Sequence, residues 1–260
     1  MKTAISPLVL LGAFSFGTWL AGHTSAAEAA PAPSQSIRMA VVSPIRIFNE
    51  MQETKDLKQK MEGDRANLAN IELHTSLART ADLDRPDSLV FDLDPGAPAD
   101  IVDCARVAIR LRGLFNQLGL ECYAKTSGSK GLHLHAPLNG TATFAESRPF
   151  AKAVAETFEA RFPDEVVSRQ TKTRREGRVL IDWSQNDAHK TTASVYSIRA
   201  RERPTASTPL EWEEVEAIAE SGDAAALGFT VEDLRRRIAA KGDLYAPLLT
   251  QKQELPDLSV

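Results

Sequence analysis

The stretch Ser88-Leu89-Val90-Phe91-Asp92-Leu93-Asp94-Pro95-Gly96 decides the fold prediction. Its large apolar residues stand at every second position, which is the period of a β-strand, so Asp92 and Asp94 share the opposite face. Pro95-Gly96 then ends the strand beside them. Two adjacent carboxylates repel each other, and a bound Mg²⁺ or Mn²⁺ would remove that repulsion. The alternative for an isolated Asp-x-Asp is a solvated strand end with a turn-forming aspartate.

A Gly- and Ser-rich turn, Ser127-Gly128-Ser129-Lys130-Gly131, precedes a second alternating stretch at residues 132–136. The alternation predicts a strand that buries its apolar face and displays His133 and His135 on the other. Backbone N–H groups, serine hydroxyls and the Lys130 ammonium make the turn a candidate anion site. The spacing of a Walker A loop is absent, and an ordinary polar hairpin turn is the alternative.

A third segment, Gly177-Arg178-Val179-Leu180-Ile181-Asp182, places Arg178 and Asp182 on one strand face. Residues 169–203 around it carry nine Lys and Arg residues against four Asp and Glu residues. Such a local basic excess predicts phosphate binding, with an ion-pair network or a solvated surface as the alternatives.

Helical spacing of apolar residues predicts helices at about residues 99–118, 143–162 and 230–240. Gly119 is expected to end the first helix, and Thr143 with Glu146 has the spacing of a capping box for the second. Pro149 leaves open whether that second helix begins only at Ser147. Strands that alternate with these helices predict an α/β (α+β) domain.

The N-terminal residues have a different character. Residues 1–29 combine a basic Lys2, an apolar run and a small-residue cleavage site at Ala27-Glu28-Ala29, which predicts a secretory signal peptide. An uncleaved membrane anchor is the alternative. Residues 30–36 form a Pro/Ala/Ser linker. We expect no stable membrane association once the signal peptide is removed.

Residues 37–68 are predicted to form a short strand and a charged helix. Their opening, from Ile37 to Met51, resembles the start of the Skp-like (OmpH-like) periplasmic chaperones. Only the first strand and helical turns of that family are matched, so chaperone function is not supported. An ordinary charged surface helix is the alternative.

Composition sets looser limits. The chain has 260 residues, 43% of them hydrophobic, and a net charge of −4, which disfavours diffuse nucleic-acid binding outside the basic segment. The two cysteines, Cys104 and Cys122, are too few for a disulfide framework.

Seven segments in the same order resemble the polymerase domain of bacterial ATP-dependent DNA ligase D, within the archaeo-eukaryotic primase superfamily. They are residues 71–74, 86–96, 125–133, 177–182, 185–186, 196–201 and 207–212. The resemblance covers residues 71–249 and leaves 250–260 as a tail. It implies a primase-polymerase RRM-like core with flanking helices, N-terminally incomplete and preceded by the signal peptide and the strand–helix segment.

The resemblance also implies roles for individual residues. Two divalent ions, Mn²⁺ or Mg²⁺, would be bound by Asp92, Asp94 and Asp182. The triphosphate would be contacted by Ser127, Ser129, Lys130, His133, Arg199 and Arg201. His74 matches an active-site histidine of the family, and Arg178 and Gln185 match further positions of the nucleotide pocket.

The implied function is metal-dependent addition of nucleotides to DNA 3′ ends in end-joining repair, reduced or lost if the domain is truncated. The implied partners are nucleoside triphosphates, primer–template DNA ends, Ku and a separate DNA ligase. One alternative is a non-catalytic chimeric protein of the periplasm or exterior, and another is a haloacid dehalogenase-type phosphatase. The polymerase function requires a cytoplasmic location, whereas a working signal peptide would direct the chain to the periplasm or exterior.

Overall fold

The computed structural model describes residues 72–201 and 203–256. The predicted signal peptide (1–29), linker (30–36) and chaperone-like segment (37–68) lie outside the described residues. No helix within the described ranges is both long and apolar enough to cross a membrane.

The described residues contain α-helices, β-strands and short 3₁₀ turns. The helices are α1 (Ile101–Gln117), α2 (Phe144–Arg161), α3 (Trp212–Ser221) and α4 (Val231–Lys241). The strands are β1 (His74–Ser76), β2 (Ala78–Arg79), β3 (Asp82–Pro86), β4 (Ser88–Pro95), β5 (Tyr123–Thr126), β6 (Leu132–Pro137), β7 (Val166–Val167), β8 (Val179–Asp182), β9 (Thr191–Ala193), β10 (Ile198–Arg199), β11 (Thr205–Ala206) and β12 (Pro209–Leu210). The 3₁₀ turns span Lys172–Arg174, Trp183–Gln185, Ala224–Leu227 and Ala246–Leu249.

A six-stranded sheet in the order β12-β5-β6-β4-β8-β7 forms the centre of the domain. All its neighbouring strands run antiparallel except the parallel pair β7 and β8. The pairs β1–β9, β10–β11 and β2–β3 form separate two-stranded sheets. The predicted α/β class is therefore confirmed. The elements from β4 to β8 follow one another as a strand, a helix, a hairpin, a helix and two further strands.

One face of the six-stranded sheet forms the hydrophobic core. Leu89, Phe91 and Leu93 of β4 are fully buried against α1 and α2. The rings of Phe91 and Phe115 lie 5.3 Å apart and fix α1 on the sheet. Because strand side chains alternate, the polar residues of β4, β6 and β8 all occupy the opposite face.

The helix boundaries follow their capping residues. Asp100 caps α1 in a capping box with Asp103, and Gly119 has the positive φ (73°) predicted just after the helix. The box of Thr143 and Glu146 starts α2 at Phe144, so Pro149 lies inside the helix and the alternative start at Ser147 is wrong. A third capping box, Thr230 with Asp233, starts α4 as predicted.

Candidate active site

A row of polar residues crosses four adjacent strands of the sheet. Lys125 of β5 is paired with His133 of β6, His133 with Asp92 of β4, and Asp92 with Asp182 of β8. Residues directly opposite each other in neighbouring strands share a face. Asp94 lies on the same face, two residues further along β4, where it is paired with Leu180 of β8. The predicted common face of Asp92 and Asp94 is confirmed, and Asp182 joins it.

Asp92 lies beside two other carboxylates, those of Asp182 and Asp94. Burial, together with the charges of Asp182 and Asp94, raises the pKa of Asp92 to about 7. The side chain of Asp92 is still 26% exposed, so solvent reaches it. His133 Nε2 lies 3.4 Å from Asp92 Oδ1. The site therefore holds crowded oxygen ligands whose ionised form an added cation would favour.

Asp94 is turned toward basic side chains. The Arg175 guanidinium donates to its carboxylate, and Lys130 Nζ lies 3.2 Å from Asp94 Oδ1. Within residues 72–201 and 203–256, no group of three or more His, Cys, Asp or Glu side chains is arranged to hold a metal ion. In these side-chain positions Arg175 holds Asp94, and joint metal binding by the three aspartates stays a prediction.

Asp182 is oriented by amides and a hydroxyl. Its Oδ2 accepts from Gln170 Nε2 at 2.9 Å and from Gln185 Nε2 at 3.1 Å. Its Oδ1 accepts from the backbone N–H and the hydroxyl of Ser184 at 3.0 and 2.6 Å. The predicted site residue Gln185 thus contacts a predicted ligand directly. These neutral donors steady the carboxylate without cancelling its charge.

The Ser127–Gly131 turn folds closely against the strand that carries the aspartates. Ser127 Oγ accepts from the backbone N–H groups of Ser129 and Gly131, both at 3.2 Å. Those two N–H groups are therefore engaged inside the turn and do not point to an anion, contrary to the expectation. The positive φ of Gly128 (69°) shapes the turn. The Lys130 ammonium and the Ser129 hydroxyl are the side-chain groups of the turn that suit an anion.

Two arginines of the segment around β10 and β11 reach this turn. Arg201 donates to the hydroxyl of Ser129. Arg199 Nη1 lies 3.5 Å from the Ser127 carbonyl oxygen, and its Nε lies 3.0 Å from Glu72 Oε2. Glu72 also contacts His74, whose Nε2 is 3.3 Å away. The two arginines thus contact the predicted turn, and Glu72 connects His74 to Arg199.

Both histidines of β6 lie on the face opposite the hydrophobic core, as expected, and both are nevertheless buried. His133 is 4% exposed and His135 is 8% exposed. His135 Nδ1 lies 3.3 Å from Ser88 Oγ, and its ring packs edge-on against Tyr245 at 5.7 Å. Burial and the charge of Lys125 lower the pKa of both rings well below 6.5. His133 borders the carboxylates, whereas His135 belongs to the packed interior.

The family resemblance implies a place in the nucleotide pocket for Arg178, but it assigns no role to Arg175 or Lys125. The Arg178 side chain makes no ion pair with the described residues, while Arg175, three positions earlier, pairs with Asp94. Arg175 stood within the basic segment, but nothing in the sequence singled it out. Lys125 is 1% exposed and donates to two distant segments. Its alternation with Ala124 and Thr126 was the available signal that it shares the face of His133.

Two open cavities flank the turn. A cavity of about 430 Å³ is lined by Ser129, Arg201, Arg203 and Thr205. Another of about 310 Å³ lies beside Pro95, Ser129 and Lys130 and is otherwise lined largely by small and apolar residues. The basic lining of the first suits an anionic group.

The family model for the LigD primase-polymerase domain matches residues 51–245. The chain belongs to this family. The match begins inside the segment 37–68 that was compared with periplasmic chaperones, so the domain boundary near residue 70 stays a prediction.

Three similar proteins place the LigD match in context. The multifunctional non-homologous end joining protein LigD of Mycolicibacterium smegmatis is 37% identical over 70% of this chain and 24% of its own length. The LigD DNA repair protein of Mycobacterium tuberculosis is 41% identical over 62% of this chain and 20% of its own. The bifunctional LigD of Bacillus subtilis is 32% identical over 66% of this chain and 28% of its own. The chain thus spans about a quarter of the length of these curated relatives.

The solved polymerase domain of Mycobacterium tuberculosis ligase D, in complex with DNA, shares this fold. It aligns with a TM-score of 0.59 and 38% identity, over 65% of this chain and 57% of that one. The observed mixed sheet with its flanking helices is therefore that of a LigD polymerase domain.

Proposed function

We propose that this domain is a metal-dependent nucleotidyltransferase that adds nucleotides to the 3′ ends of DNA. One observation carries the proposal: Asp92 and Asp182 are paired across adjacent strands. Lys130 contacts the neighbouring Asp94, and two arginines contact the turn that carries Lys130. Carboxylates for cations beside basic groups for phosphates are what nucleotidyl transfer requires. Membership of the LigD primase-polymerase family supports this chemistry. It gives no support to the phosphatase or the non-catalytic alternative.

Asp92, Asp94 and Asp182 would hold the metal ions. The donor set fits, because carboxylate oxygens suit Mg²⁺ or Mn²⁺. Burial and then the charges of Asp182 and Asp94 raise the pKa of Asp92, and a bound cation would offset both effects. Asp94 would join only after it leaves Arg175. Two bound ions would activate the primer hydroxyl and neutralise the leaving pyrophosphate.

The remaining residues would bind and orient the nucleotide. Lys130, Arg199 and Arg201 would balance the triphosphate charge, with the Ser127 and Ser129 turn beside them. Gln185 would keep Asp182 in position through its 3.1 Å hydrogen bond. The buried His133 would donate or accept at the carboxylate edge while staying neutral, because its pKa lies well below 6.5. His74 would border the same pocket through Glu72.

The proposed partners are nucleoside triphosphates, DNA primer–template ends, Ku and a separate DNA ligase. The solved relative was captured with DNA, which supports DNA ends as the substrate. Because these substrates are cytoplasmic, we propose that the active form resides with the nucleoid. A working signal peptide at residues 1–29 would remove the chain from them.

Primer extension tests the proposal. The wild-type chain should add nucleotides to a primed DNA end with Mn²⁺ and should not with a chelator. Asp182→Asn should reduce extension by at least 100-fold, about 3 kcal/mol of transition-state stabilisation. The control Asp164→Asn changes an exposed aspartate away from the row and should leave the rate unchanged. Equal rates for Asp182→Asn and wild type would contradict the proposal.

A further inference from the structure

Lys125 is a buried lysine that the proposed chemistry leaves unused. It is 1% exposed and lies on β5, between the edge strand β12 and β6. Removing an ammonium group from water is costly unless hydrogen bonds replace the lost hydration. The Lys125 ammonium has two such partners, at 3.0 Å from the Ala193 carbonyl oxygen and at 2.8 Å from Ser207 Oγ.

The two partners of Lys125 bracket one functional segment. Residues 194–206 run between them and carry Arg199 and Arg201 on and after β10. Ala193 is also the residue of β9 that pairs with His74 of β1. A single ammonium therefore holds both ends of the arginine segment, and the strand pair that carries His74, against the sheet.

Further hydrogen bonds connect the same segment to the start of the Ser127–Gly131 turn. Ser207 Oγ donates to the Thr126 carbonyl oxygen at 2.9 Å, and Thr126 Oγ1 donates to the Ala206 carbonyl oxygen at 3.2 Å. Lys125 and Thr126 are the residues immediately before Ser127. Lys125 therefore lies where the arginine segment is hydrogen-bonded to the start of the Ser127–Gly131 turn. This junction positions Arg199 over Ser127.

We infer that Lys125 is a positioning residue for the triphosphate site, acting through Ala193 and Ser207 to hold Arg199 and Arg201 over the Ser127–Gly131 turn. The inference rests on the proposed nucleotide binding. Lys125 touches neither the carboxylates nor the cavity of Arg201 and Thr205, so its effect on a nucleotide is indirect.

Lys125→Met separates this role from a purely structural one. Methionine fills similar volume without a buried charge, so the melting temperature should stay close to that of wild type. The dissociation constant of Mn²⁺-dATP, measured by calorimetry, should rise about tenfold because the arginines lose their fixed position. The affinity for Mn²⁺ alone should change less than the affinity for Mn²⁺-dATP, because Lys125 hydrogen-bonds neither Asp92 nor Asp182 and acts on Asp92 only through its charge. Lys152→Met, an exposed lysine of α2, is the matched control and should bind like wild type.

A double-mutant cycle with Ser207→Ala completes the test. If Lys125 acts through Ser207, the two variants together should weaken binding by less than the product of their separate effects. Unchanged affinity in Lys125→Met would overturn the inference while leaving nucleotide binding intact. If the affinity for Mn²⁺ and the melting temperature both fell in Lys125→Met, Lys125 would have only a structural role. Failure of the wild-type chain to bind Mn²⁺-dATP would instead refute the proposed function, and this inference with it.

Discussion

Asp92 and Asp182 face each other as a register pair on the adjacent antiparallel strands β4 and β8. Side chains in such a pair are within contact distance, so their charges repel strongly when both are ionised. The pairing links a strand whose pattern is plain in the sequence to one that lies about 90 residues later. Metal binding, stability and pH response should all depend on it.

The first prediction concerns stability without metal. The pKa of Asp92 is raised to about 7, so between about pH 4 and pH 7 the folded chain binds more protons than the unfolded chain. Stability should therefore fall as the pH rises through this window. Asp92→Asn removes the effect and should melt about 2–4 °C above wild type at pH 8, a gain of about 1 kcal/mol. The gain is kept modest because 26% of the side chain is exposed.

Thermal melts at pH 4 and pH 8 in a chelator measure this difference. The two proteins should have similar melting temperatures at the lower pH. Asp164→Asn, which alters an exposed carboxylate, should show no gain specific to pH 8. A lower melting temperature for Asp92→Asn at pH 8 would mean that the carboxylate is stabilised by its neighbours.

Substitutions of the two histidines of β6 should affect different properties, stability for His135 and nucleotide affinity for His133. His135→Ala leaves a cavity against Tyr245 and should lower stability by about 1–3 kcal/mol with little effect on nucleotide affinity. His133→Ala should weaken nucleotide binding more, since His133 Nε2 lies 3.4 Å from Asp92. Melting curves and calorimetric titration of both variants make the comparison. Equal losses of affinity would argue against separate roles.

Two glycines offer a matched test of the turn. A Cβ at Gly131 would lie 2.1 Å from the Leu93 carbonyl oxygen, so Gly131→Ala should destabilise the fold by about 1–3 kcal/mol. Gly113, exposed in α1, has no atom within 4 Å of such a Cβ. Gly113→Ala should therefore stabilise by about 0.5–1 kcal/mol. Urea denaturation measures both, and a tolerated Gly131→Ala would refute the close packing of the turn on β4.

Arg175 and Arg178 should respond differently to substitution. Arg175 competes with a cation for Asp94, so Arg175→Gln should lower the Mn²⁺ concentration that half-saturates the chain. Arg178→Gln should leave it unchanged, because the Arg178 side chain makes no ion pair among the described residues. Mn²⁺ titration followed by electron paramagnetic resonance measures free ion directly. A larger change in Arg178→Gln than in Arg175→Gln would contradict this ranking.

Local patterns in the sequence predicted much of the fold. The two-residue alternation of β4 put Asp92 and Asp94 on one face, and the capping box at Thr143 marked the start of a helix. These signals succeed because they depend on neighbours within a few residues. The same reasoning left the start of α2 open, because Pro149 argued locally against a helix that packing supports.

The missed features depend on contacts between distant segments. His135 is buried by Tyr245, which lies 110 positions later in the chain, so the sequence of β6 alone could not show its burial. The pairing of Asp94 with Arg175 requires the close approach of two strand ends. Lys125 likewise becomes significant only when Ala193 and Ser207 are brought to its ammonium. A pattern among neighbouring residues does not predict contacts between segments that are distant in the sequence.

Anomalous diffraction from crystals soaked with Mn²⁺ and a non-hydrolysable nucleoside triphosphate tests the central claim most directly. We expect manganese between Asp92 and Asp182, with Asp94 released from Arg175 and turned toward the ion. The triphosphate should lie against Lys130 and Arg199. Manganese bound elsewhere, or a row that stays without metal while the nucleotide is present, would contradict the assignment of these carboxylates as the metal centre.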